Sequence, residues 1–192
     1  MHSIMAVDNN GRNLTPIIIW ADTRAREECE ELREKYEEKV FYKNTACPLH
    51  STYWPARLKY LQTQLDNLHN KKLVSIKEYI VYQLTGQWMI DKGLVSTSGI
   101  FNLKQEDYDS EILNIIDISK EKLSPIVPTS HTFQFKIKGK TLTGIMGSTD
   151  GVLANLGAGV IHNNEAVVTA GTSAAVRMTA TEPVFDPEAR VW

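Results

Sequence analysis

The sequence has little cysteine. Cys29 and Cys47 are the only two in 192 residues, and they lie in unlike contexts, so no disulfide framework is written into the chain. With 42% hydrophobic residues a chain of this length needs no such staple to bury a core, and a reducing, cytoplasmic setting is the expectation. An excess of either charge is missing as well. The 21 basic and 23 acidic side chains leave a formal charge of -2, so no overall field draws nucleic acid or an anionic membrane, and an anionic ligand must be held locally. No apolar run approaches the ~20 residues that span a bilayer, and no basic segment leads into an apolar one at the N-terminus, which argues against membrane insertion and export. Internal repeats and low-complexity tracts are absent. There is no G-x-x-x-x-G-K-[ST] run, which excludes a P-loop from this stretch of chain, and "GAGVIH" places His162 where a dinucleotide fingerprint needs its third glycine. Cys47 and His50 have no second pair at zinc spacing, so no metal site is expected.

What is present is a mixture of strand and helix signals. "HSIMAVD" and "LTPIIIW" flank Asn10-Gly11, a pair that favours a tight turn, so residues 2–20 read as a β-hairpin. A strand at the very start leaves nothing ahead to cover it, which suggests a fragment. Ala25, Cys29, Leu32 and Tyr36 share one helical face, predicting a helix that starts at Asp22 or Thr23. A loop, "KNTACPLHS", leads to a second helix with Trp54, Leu58, Leu61 and Leu65 on one side. "SIKE" forms a capping box and Gly86 supplies a left-handed stop, predicting a helix over 76–85. "QWMID" reads as a short strand, "KGLVSTSGIF" is ambiguous, and "DSEILNIIDI" reads as helix. "FQFKIKGKTLTGIMG" alternates, turns near Gly139 and continues toward a buried strand ahead of Asp150. "DGVLANLGAG" predicts a short helix, and "EAVVTAGTSAAVRM" two strands joined at Gly171-Thr172-Ser173. The class is α/β.

Three places could carry chemistry. The Gly171-Thr172-Ser173 turn can aim backbone amides and two hydroxyls at one point, which suits phosphate, although an ordinary hairpin turn prefers the same residues. "WADTR" puts Trp20, Asp22 and Arg24 at a junction between strand and helix. There an aromatic face, a hydroxyl acceptor and a forked donor could converge on a sugar or sugar acid; the plainer alternative is an N-cap and a solvated residue. Asp150 could cap the helix that follows it or act as a general base. The two roles are compatible, because the positive end of a helix keeps a carboxylate ionised. His69 reads as a solvated residue at a helix end.

Taken in order, "MHS", "WADTRA", "CPLHSTYWPARL", "SIKEYIVYQLTG", "STSGIFNL", "GSTDGVLANLGAG" and "TAGTSAAVR" resemble the FGGY family of carbohydrate kinases, most closely its gluconate kinases, with xylulose kinases as near relatives. The resemblance implies a ribonuclease H-like, actin-like ATPase domain with a mixed sheet flanked by helices. It implies that residues 1–181 form an N-terminal kinase domain lacking its opening strands, whose Asp-x-Gly-Thr phosphate loop would lie ahead of "MHS". Residues 182–192 would begin the linker to a C-terminal domain that supplies the adenosine pocket. It assigns Asp150 as catalytic base on the terminal hydroxyl, His2, Trp20, Asp22 and Arg24 as substrate contacts, and Gly171, Thr172 and Ser173 as a phosphate-contacting turn. ATP and Mg2+ are the implied cofactors, a sugar or sugar acid the partner, and gluconate phosphorylation the reaction. Xylulose or another polyol as substrate, or a non-catalytic sugar-binding remnant, are the alternatives. The segment between "VPTSH" and "GSTDG" is shorter than the family's pattern, which bears on how the strand before Asp150 is supported. Without the first phosphate loop and the second domain the chain alone should be inactive, and a sheet edge left open would favour self-association.

Overall fold

The computed structural model describes residues 2–68, 70–171 and 174–191. β1 (Met5–Asp8) is buried along almost its whole length. The Asp8 carboxylate accepts from the backbone N–H groups of Asn10 and Arg12, and Gly11 takes the left-handed conformation (φ +77°) that closes the turn. The returning arm does not form a regular strand. It touches β1 only through single bridges, Val7 to Asn13 and Ile4 to Ile18. Between them Thr15 Oγ1 accepts from the Ala6 N–H at 3.0 Å, and Pro16 has no N–H to offer a ladder. The expected hairpin over 2–20 is therefore present as a turn and two bridges.

α1 (Arg26–Lys35) starts later than expected, because the Asp22 carboxylate accepts from the Arg24 N–H at 3.0 Å and holds a turn there; Ala25, with no capping side chain, stands at the N-cap. Ala25, Cys29 and Leu32 are buried as their spacing predicts. A helix the pattern did not reveal, α2 (Glu38–Thr45), occupies the start of the expected loop and ends on left-handed Ala46. α3 (Trp54–Thr63) buries Trp54, Leu58 and Leu61. β2 (Lys71–Val74) pairs antiparallel with β1, Met5 opposite Val74. α4 (Ile76–Thr85) has the predicted bounds and both halves of its capping box, with Ser75 N–H donating to Glu78 Oε2 at 2.6 Å and Glu78 N–H to Ser75 Oγ at 3.2 Å.

β3 (Ile90–Asp91) and α5 (Lys92–Val95) follow directly, Asp91 capping α5 through the Leu94 N–H. β4 (Phe101–Asn102) and β5 (Asp107–Tyr108) make a small antiparallel pair before α6 (Ser110–Ile115), and β6 (Ile126–Val127) lies parallel to β3. The main core gathers Ile4, Leu32, Phe41, Trp54, Leu61 and Phe101 from these elements. β7 (Thr132–Ile137) and β8 (Lys140–Ile145) form the hairpin predicted around Gly139, but β8 is mostly exposed, which corrects the expectation of a buried strand before Asp150. Phe133 and Met146 anchor this hairpin by packing against Val81 of α4 and Met89. α7 (Asp150–Gly157), β9 (Ala166–Ala170) and β10 (Ala174–Met178) complete the chain, β9 and β10 being antiparallel. Ladders of both senses and helices between them make the architecture mixed α/β. Among the described residues no helix is long and apolar enough to cross a membrane.

Candidate functional site

The site is organised by a residue that carries no chemistry of its own. Arg57 falls on the same helical stripe as Trp54, Leu58 and Leu61, and the fold buries it completely. Its guanidinium donates to the carbonyls of His2, Ile19 (2.8 Å), Trp20 (3.4 Å) and Ser51 (3.2 Å), tying the starts of three segments to α3. Burial pushes its pKa down to about 10 while nearby Asp22 favours the charge, so it remains a cation at neutral pH.

On this clamp lies a cavity of about 520 Å3, lined among others by Trp20, Asp22, Arg26, Arg33, His50 and Thr52. Two of the predicted contact residues, Trp20 and Asp22, meet there. Arg24 is not among its lining residues. It grips Asp22 instead, Nε donating to both carboxylate oxygens at 3.0 Å and Nη2 to one at 2.6 Å, with its guanidinium 5.6 Å from the Tyr60 ring centre. The hydrogen bonds from Arg24 hold the Asp22 carboxyl below its ordinary range, so Asp22 presents an ionised, oriented acceptor.

His2 lies beneath, nearly buried, in a left-handed conformation (φ +53°), its ring edge-on to Tyr53 at 5.2 Å between centres. Burial first, then neighbouring positive charge that includes Arg57, lowers its pKa to about 4, and only the Asp150 carboxylate opposes them. The imidazole is neutral at physiological pH. Asp150 therefore acts on His2 electrostatically.

Asp150 is the first residue of α7 and is exposed; the N-cap position belongs to buried Thr149, whose side chain makes no capping bond. The capping alternative for Asp150 is thus not what the structure shows. The loop before it is seated against α5, where a Cβ added to Gly93 would overlap Ser148 Oγ. Gly171 lies in the connection between β9 and β10, whose last pair is Ala170 opposite Ala174. Thr172 and Ser173, and likewise His69, lie outside the described residues. No group of three or more His, Cys, Asp or Glu able to hold a metal occurs among the described residues.

Sequence reasoning missed Arg57, Arg26, Arg33 and the His50–Thr52 segment as parts of this site. For Arg57 a signal existed, since a cation on an apolar helical stripe must find buried acceptors. For the others there was none, because the cavity forms only when α1 is laid beside the turn at 50–52.

Residues 1–157 match the N-terminal domain of the FGGY family of carbohydrate kinases. The gluconokinase of Bacillus subtilis (strain 168) is 36% identical over 203 aligned residues, which take in all of this chain and 39% of that protein. The xylulose kinase of Staphylococcus xylosus is 25% identical across 90% of this chain and 38% of its own length. The solved gluconate kinase of Lactobacillus acidophilus superposes with a TM-score of 0.90 at 30% identity, over 98% of this chain and 40% of that one. A ligand-bound xylulose kinase from the same organism has the same TM-score and identity. The chain thus spans about two-fifths of the length of these relatives, and the fold is theirs.

Proposed function

Because the chain belongs to the FGGY family of carbohydrate kinases, we propose that the polypeptide carrying it transfers the γ-phosphoryl group of ATP to the terminal hydroxyl of gluconate, and that this segment supplies the acceptor site and the base. The observation that carries the reading is Asp150, an exposed carboxylate at the positive end of α7 within electrostatic reach of the buried, neutral His2. A carboxylate is a feeble base toward an alcohol. It suits a loose transition state in which the proton leaves late and the main task is to orient the hydroxyl along the line of transfer. Neutral His2 can hydrogen-bond a hydroxyl without competing for that proton. The Trp20 face and the Asp22 carboxylate, fixed by Arg24, hold the carbon chain and its hydroxyls. In this reading residues 1–181 are the N-terminal kinase domain, 182–192 open the linker, and the Gly171, Thr172 and Ser173 stretch of the sequence receives phosphate. Mg2+, on the same reading, accompanies the phosphates of the nucleotide.

Asp150→Asn in the phosphoryl-transferring protein tests this. The expected outcome is a loss of turnover of about a hundredfold or more with gluconate affinity retained, read by a coupled ADP assay beside calorimetry. A variant as fast as the parent would remove Asp150 from the chemistry. The equal likeness to a xylulose kinase supports a second reading, a neutral ketose as acceptor, which a comparison of turnover on gluconate and xylulose separates.

A further inference from the structure

Charged side chains of both signs line the 520 Å3 cavity: Asp22 and Glu30, Arg26 and Arg33. Asp22 is paired with Arg24, and Glu30 with Arg33 at 2.8 Å. Arg33 is further fixed by donating to the Leu49 carbonyl at 2.7 Å. Arg26 has no ion pair among the described residues, whereas the buried Arg57 donates to backbone carbonyls. Arg26 is therefore the lining cation left without a carboxylate of its own. His50 adds a directed donor. Its Nδ1 accepts from the Thr52 N–H at 3.2 Å, which leaves the ring proton on Nε2. Burial, and then the positive charges of Arg33, Arg57 and Arg26, hold His50 below its ordinary pKa. Trp20 and Asp22, the candidate polyol contacts, line the same cavity.

We propose that this cavity receives the carboxylate of an acidic sugar, with Arg26 as charged donor and His50 Nε2–H as neutral donor, and that this end of the site selects a sugar acid over a neutral polyol. The proposal rests on the kinase reading and specifies which residues would set its substrate class. In gluconate the carboxylate and the phosphorylated hydroxyl are at opposite ends of the carbon chain. Arg57 ties the His2 carbonyl to those of Trp20 and Ser51, two residues that line the cavity, so one buried clamp joins the start of the chain to this end of the site. Arg26 is exposed on the first turn of α1, so replacing it should leave the fold intact.

The test uses calorimetry on the purified chain with gluconate and with glucitol, which differs from it in bearing an alcohol in place of the carboxylate. Gluconate should bind about tenfold or more tightly than glucitol, and added salt should weaken gluconate alone. Arg26→Ala should weaken gluconate roughly ten- to a hundredfold and leave glucitol unchanged, while Arg26→Lys recovers part of the loss. If the parent binds both polyols equally, or Arg26→Ala weakens both alike, the carboxylate assignment is wrong. When that equal binding is abolished by Asp22→Ala, the sugar site and the kinase reading survive. If the parent binds neither polyol, both fail.

Discussion

Glu78 shows how one residue can serve structure locally and oppose it electrostatically. It completes the capping box of α4, yet it is fully buried, and burial, against the hydrogen bond from the Ser75 N–H, pushes its pKa from 4.5 up to about 7. A carboxyl raised in the folded state favours the protonated form, so its stabilising contribution is complete below pH 4.5 and is lost as the pH rises through about 7. Glu78→Gln keeps an acceptor for the Ser75 N–H and removes the ionisation. We expect the variant to flatten the stability profile between these values and to be more stable than the parent at pH 8 by roughly 1–3 kcal/mol, measured by urea unfolding at pH 5 and pH 8. A parent profile that is flat across this window would refute the assignment. His2 acts with the opposite sign: its pKa is lowered to about 4, so its contribution is present above 6.5 and lost toward acid. At this scale sequence and structure divided the work plainly. Asp22 and Arg24 were legible as a pair of functional types, but their mutual grip, which turns Arg24 away from the cavity, depended on side-chain directions that spacing does not encode.

Among the elements, α4 was legible to the residue because its start and stop are local: Ser75, Glu78 and Gly86 satisfy its terminal groups without help from the rest of the chain. α1 and α2 were less so. The start of α1 is displaced by the turn that Asp22 holds, and α2 has no side-chain cap to announce it. The first hairpin was half legible, its turn fixed by Gly11 and its second arm released by Pro16. Gly11 also meets the helix layer, since a Cβ there would overlap the ring of Tyr82, which stacks on Trp88 at 3.9 Å between centres. Gly11→Ala combines a left-handed backbone penalty with that overlap. It should cost about 1–3 kcal/mol and disturb the near-ultraviolet signal of the stack, as read by circular dichroism with urea unfolding. Unchanged stability would show that the turn and α4 are not coupled.

At the scale of the whole molecule the burial is uneven. The segments up to β6 share the core, whereas α7, β9 and β10 leave Val152, Leu156, Val168, Val176 and Met178 exposed. On the proposed reading, phosphoryl transfer depends on charge neutralisation and alignment of two substrates, and the chain spans 39% of a relative's length. The isolated chain should therefore phosphorylate gluconate at least about a thousandfold more slowly than an intact sugar kinase, in a coupled assay with excess ATP and Mg2+. A rate within about tenfold of such an enzyme would show that the acceptor domain suffices. The order of the sequence, read locally, determined the mixed class, the α4 boundaries, the β7–β8 and β9–β10 hairpins and the prominence of Asp150, because caps, turns and alternation act between near neighbours. Tertiary structure alone decided that a buried Arg57 gathers His2, Trp20 and Ser51, and that Arg26 and His50 share a cavity with Asp22. His2 and Trp20 lie far from Arg57 along the chain, as Asp22 does from His50, and the packing of α1 and α3 brings the first pair of carbonyls to Arg57 and the second pair of side chains to one cavity.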